Sequence, residues 1–121
     1  MTQVGLRLRL GESLKVAMNQ RDAAAVAALR SAMSAVDNAE AVDRSQAPPP
    51  TTTIGDVRLG VGAAEVARRE LSEQDVVDIL LTEVEEREEA AAEYVRLGRA
   101  EHASRLRAEA AALVAFSRSL S

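Results

Sequence analysis

The 121-residue chain has no cysteine and no tryptophan. Without thiols there is no disulfide and no thiolate metal site, which fits a reducing, cytoplasmic setting. Aromatic residues make up 2% of the chain, as Tyr94 and Phe116 alone. The hydrophobic residues, 47% of the total, must therefore build a core from small and aliphatic side chains. Histidine occurs once, at His102, and lysine once, at Lys15, against fourteen arginines. One histidine cannot supply the paired Glu-x-x-His ligands of a di-metal bundle, so neither a metal nor a cofactor is expected. No apolar run is continuous enough for a signal peptide or a membrane-spanning helix. A basic excess is also missing: the formal net charge is −4. The usual footprint of non-specific nucleic-acid binding has the opposite sign.

What is present is alanine, with leucine, valine, glutamate and arginine. Alanine costs no side-chain entropy in a helix and is its best former. The expected fold is all-α, a small bundle of about four main helices in antiparallel hairpins plus one short helix, in one domain over 1–121. The first stretch, "VGLRLRLGESLKVAMNQ", is ambiguous. Val4, Leu6, Leu8 and Leu10 alternate as in a strand, while Leu6, Leu10, Leu14 and Met18 recur every four residues as in a helix. The longer helical pattern is preferred, with fraying before about Leu8 because Gly5 and Gly11 each cost about 1 kcal/mol against Ala. Asp22 is placed to cap a second helix. Val26, Leu29, Met33 and Val36 form its seam, and its other sides hold Ala24, Ala27, Ala28, Ser31, Ser34 and Ala35, so this helix is expected to be the most buried.

Residues 43–60, "DRSQAPPPTTTIGDVRLG", have three prolines and three threonines and read as a flexible internal linker. A short helix is expected over 62–71. A long one follows from Ser72, which with Asp75 resembles a capping box. Val77, Leu80, Leu81, Val84, Ala91 and Val95 carry its stripe. Gly98 ends it, and a last helix from about Ala100 turns Leu106, Ala110, Leu113 and Leu120 to one face. The short connection around Gly98 requires an antiparallel pair.

No phosphate-cradling loop, zinc-protease motif or nucleophile elbow is present, so no catalytic residue is assigned. The run "EVEEREEAAAE", 83–93, reads as a solvated acidic face with Glu83 and Arg87 as an i,i+4 pair. His102 reads as a packing histidine. Arg96, Arg99, Arg105 and Arg107 gather around the Gly98 turn; they are candidate anion or RNA-phosphate contacts, or simply solubility and helix-end charges. Glu40 falls in line with the apolar seam of the second helix. A carboxylate there needs a partner from another helix, and Arg68 or Arg69 is expected to supply it. Arg30 and Glu40 are expected to set the register of the second helix, and Asn38 to help end it.

Leu29-Arg30, Asn38-x-Glu40, Val84-x-x-Arg87, Leu97-Gly98-Arg99 and the helix ending in Leu113 to Phe116 follow one another in an order and spacing that resemble the GatB/YqeY family. The resemblance covers most of residues 8–116. It implies a bacterial α-helical module, found alone or as the tail of the B subunit of the glutamine-dependent tRNA amidotransferase. It brings the family label of carbon–nitrogen ligase with glutamine as amido-N-donor, but the resemblance carries over no catalytic residues. Leu29, Arg30, Asn38, Glu40, Arg87 and Gly98 are then motif positions of the bundle. The chain stops at Ser121, before the small helical domain with which the family usually continues, and has the Pro/Thr stretch in place of a short connection. The resulting expectation is a non-catalytic interaction module that binds a protein partner or itself. The alternative is a tRNA-associated accessory domain.

Overall fold

The computed structural model describes residues 3–46 and 71–120. They form four helices: α1 (Gln3–Asn19), α2 (Ala23–Gln46), α3 (Glu73–Arg96) and α4 (Ala100–Ser119). The described residues include no strand, so the all-α bundle expected from composition is what forms. α1 and α2 make one hairpin and α3 and α4 a second, and α2 packs against α4 to join them.

The ends of the helices are set by local chemistry. Asp22 caps α2, its Oδ1 accepting from the Ala25 N–H at 3.1 Å. At α3 the capping box is complete: the Asp75 N–H donates to Ser72 Oγ at 3.0 Å, and the Ser72 N–H donates to Asp75 Oδ2 at 2.9 Å. Both hairpin turns use one device. After α1, the Asp22 N–H reaches Ala17 O at 3.0 Å and the Arg21 N–H reaches Met18 O at 3.1 Å. After α3, the Arg99 N–H reaches Tyr94 O at 2.8 Å and the Gly98 N–H reaches Val95 O at 3.0 Å. This is the Schellman pattern, which needs a left-handed residue at the first position past the cap. Gly98 supplies it with φ 76°, and Arg21 is forced into it with φ 55°.

The core is light, as the composition requires. Its largest fully buried side chains are Leu6, Leu10, Val36, Val76, Leu80 and Leu113. Around them α2 buries Ala25, Ala28, Leu29, Ala32, Val36 and Glu40, more than any other helix among the described residues. Leu29 and Val36 of the expected seam are buried, while Val26 and Met33 are only partly so. The helix is rotated toward its small side chains, because alanine lets the neighbouring backbones come close.

Four expectations are corrected. α1 starts at Gln3, with Leu6 fully buried, so burial of that leucine outweighs the cost of Gly5. Its inner line then passes to Ala17, and Met18 is left 49% exposed. On α3 the line is Val76, Leu80, Val84 and Ala91, with Leu81 and Val95 exposed. Residues 43–46, read as the start of the linker, continue α2. The remainder of the linker and nearly all of the short helix expected over 62–71 lie outside the described residues. Leu71 itself precedes the cap of α3 and is buried.

The two turns generate paired expectations. Gly98→Ala should lower stability by about 1 kcal/mol, since it places a Cβ in the left-handed region. Arg21→Gly should raise it by up to about 1 kcal/mol by removing that same strain. Urea unfolding followed by circular dichroism measures both, and the opposite signs are the test.

Candidate functional site: interhelical polar clasps and an apolar cleft

Most polar side chains that enter the bundle are grouped at two places, while Ser117 Oγ on α4 is buried apart from them without a hydrogen-bond partner among the described residues. The first is centred on Arg87. It stands in the inner line of α3 between Val84 and Ala91, where a helical period would put an apolar residue. Its side chain is 13% exposed. Arg87 Nη1 donates to Glu83 Oε1 and to the Glu83 carbonyl, each at 3.1 Å. Its Nε donates to Glu109 Oε1 on α4 at 3.0 Å. Ser31 of α2 donates its hydroxyl to the same Glu83 oxygen at 2.6 Å. One guanidinium thus holds two carboxylates, and a third helix closes the group. The solvated face expected for Glu83 and Arg87 is corrected: both are mostly covered, because Glu109 and Ser31 close over them.

The second group ties α1 to α2. Glu40 is the one buried charged residue among the described residues. Arg7 donates to Glu40 Oε1 and, through Nη1, to Asp37 Oδ1 at 2.8 Å. The expectation that Glu40 takes a partner from another helix holds, and Arg7 on α1 supplies one. Arg68 and Arg69 lie outside the described residues. Arg30 is exposed and makes no ion pair among them, so the register role expected of it belongs to Arg7. Asn38 is exposed within α2, which continues past it, so it does not end the helix. On the other flank of α1, Arg9 Nη2 donates to Ser119 O at 2.9 Å and to Ser119 Oγ at 3.1 Å. That brings a cation to the carboxyl end of α4, where the helix dipole favours one.

Around the Gly98 turn the arginines separate. Arg96 pairs with Glu93 on its own helix. Arg99, Arg105 and Arg107 are exposed and make no ion pair among the described residues. His102 stacks on Tyr94 across the turn, ring centroids 3.9 Å apart and planes 25° from parallel. It is half-buried, the packing role that its position on the stripe implied.

A signal for two of these contacts was in the sequence. Arg87 and Glu109 stand eleven residues before and after Gly98, and Tyr94 and His102 stand four before and after it. In an antiparallel pair turning at Gly98, positions equidistant from the turn face one another. Glu109 and Ser31 were still missed as site residues, since a single Glu on α4 and a single Ser on α2 carry no motif.

An open cleft of about 310 Å³ lies where α1, α2 and α4 meet. Val16, Ala17, Ala25, Leu29, Ala115 and Phe116 supply its apolar lining. Val16 is 53% exposed at its edge. The described residues include no group of three or more His, Cys, Asp or Glu placed to hold a metal ion. No helix among them is long and apolar enough to cross a membrane.

No protein-family model, no curated protein and no solved structure matches the chain.

The clasps yield a double-mutant test. Glu40→Ala and Arg7→Ala should each lower stability by about 1–3 kcal/mol, since each leaves the other side chain with a partner fewer. The double variant should cost less than the two single changes together, by an interaction energy of at least about 0.5 kcal/mol. Arg87→Ala should cost about 2 kcal/mol or more, because it leaves Glu83 and Glu109 facing one another without the cation between them. Urea denaturation of the single and double variants measures all of these.

Proposed function

We propose that the chain is a non-catalytic helical interaction module of the GatB/YqeY family, acting in the cytoplasm through a protein partner or a second copy of itself. The observation that carries this reading is the contrast between the inside and the outside of the bundle. Apart from Ser117, the inward polar side chains Arg7, Glu40, Ser31, Glu83, Arg87 and Glu109 are engaged in the two clasps. The cleft, by contrast, is open, mostly apolar in lining and edged by exposed Val16. A shallow apolar surface of that kind suits the side chains of a protein partner. The order of the Leu29-Arg30, Asn38-x-Glu40, Val84-x-x-Arg87 and Leu97-Gly98-Arg99 elements supports the family reading. Carbon–nitrogen ligase chemistry, with glutamine as donor, is then the property of partner domains in the family.

A second reading rests on Arg99, Arg105 and Arg107. These cations are exposed and make no ion pair among the described residues, which supports contact with phosphates, as in a tRNA-associated accessory domain.

The test uses affinity capture from extract with the wild-type chain and with Val16→Asp. The interaction reading expects a captured protein that the variant loses, while the helical circular dichroism stays the same. Capture unaffected by the variant counts against the cleft. A titration with tRNA separates the second reading. Phosphate contacts strengthen as salt falls, so no binding at low ionic strength removes it.

A further inference from the structure

The outward lines of the second hairpin differ. On α3 the exposed line Asp78, Thr82, Glu85 and Glu89 is charged and polar, as a solvated helix face usually is. On α4 the exposed residues Glu101, Ser104, Ala108, Ala111, Ala115 and Arg118 follow at alternating spacings of three and four. That alternation is the spacing of a coiled-coil seam. Between its two ends the line has only three methyl groups and one hydroxymethyl. The ends carry opposite charges, and neither Glu101 nor Arg118 has an ion-pair partner among the described residues.

Read backwards, the line matches itself. Set antiparallel to a copy, Glu101 meets Arg118, Ser104 meets Ala115, and Ala108 meets Ala111. A twofold axis between Ala108 and Ala111 makes each of these contacts twice, as an isologous interface demands. We propose that α4 docks antiparallel on α4 of a second copy of this chain along this line. The proposal rests on the interaction-module reading and names the partner.

The charges decide the direction. A parallel pairing would set Glu101 against Glu101 and Arg118 against Arg118, whereas the antiparallel one forms two opposite-charge pairs. It also brings the positive end of each helix dipole to the negative end of the other. The small side chains allow the axes to approach at the short end of the usual 8–10 Å range. Ala115 belongs both to this line and to the lining of the cleft with Val16 and Phe116, so the contact extends from the seam onto apolar surface. Arg105 and Arg107 fall on the two flanks of the line, at the rim of the pairing.

Sedimentation equilibrium of the full chain tests this. The wild type is expected to form a dimer at submillimolar concentration. Ala111→Glu is expected to abolish it with helical circular dichroism unchanged. Glu101→Arg and Arg118→Glu are each expected to abolish it too, and the double reversal to restore it. Rescue cannot come from a more stable helix, because the double variant opposes the helix dipole at both ends. A monomeric wild type, or a dimer that tolerates Ala111→Glu and both single reversals, overturns the proposal. The outcome is separable from the wider reading: capture of a partner that depends on Val16 upholds an interaction module whether or not the chain dimerises.

Discussion

Arg87 is the point on which the arrangement of the helices depends. A guanidinium in the inner line of a helix is costly unless its donors are met. Here Nη1 is met by Glu83 on its own helix and Nε by Glu109 on α4, and Glu83 in turn accepts from Ser31 on α2. Three helices therefore have one arrangement in which this group is satisfied. That matters more in this chain than in most. Faces built from alanine slide past one another with little change in packing, because they offer few large knobs and few deep holes. The polar group supplies the discrimination that side-chain shape does not. It sets α3 and α4 in register about Gly98, and it fixes the height of α2 beside them.

The first hairpin solves the same problem with different residues. Leu6 and Leu10 hold α1 against the core. Arg7 and Arg9 leave the helix on either side of that leucine line. Arg7 reaches back to Asp37 and Glu40 on α2, and Arg9 reaches forward to the last turn of α4. The alternation "LRLRL", which imitates a strand, is thus a helix with one buried line and a polar anchor on each flank. The segment that looked least certain in the sequence is joined to both of its neighbours.

Fold class, capping and the Gly98 turn were legible because each depends on residues close in sequence. Asp22, Ser72 with Asp75, and Gly98 all do what their local chemistry implies. The left-handed turn at Arg21 was not legible, since arginine gives no sign of that conformation. Faces were harder to assign than helices. The adjacent pairs Val76-Val77 and Leu80-Leu81 allow two inner lines, and the correct one contains Arg87, which looks like an interruption. Alanine blurs the choice further, as it suits both inside and outside. Of the site, Glu40 and Arg87 were visible as polar residues in apolar register. Their partners Arg7, Glu109 and Ser31 were not, because a clasp between helices depends on long-range geometry that residue spacing reports only when a turn such as Gly98 sets the mirror.

The two outward readings of α4 bear on one another. The free chain is acidic overall, with a net charge of −4. Its exposed Arg105 and Arg107 are a thin basis for holding a phosphate backbone, where affinity grows with the number of phosphates neutralised. Pairing α4 with its copy changes that local balance. In the proposed pairing Glu101 meets Arg118 at both ends of the seam, the two copies of Arg105 come to one rim, and the two copies of Arg107 come to the other. Each rim of the pair then carries two copies of an arginine where a single chain carries one. Self-association and anion contact are in that case not competing uses of the helix. In the proposed pairing the small-residue line sets where two copies meet, and the flanking arginines set the charge of the two rims.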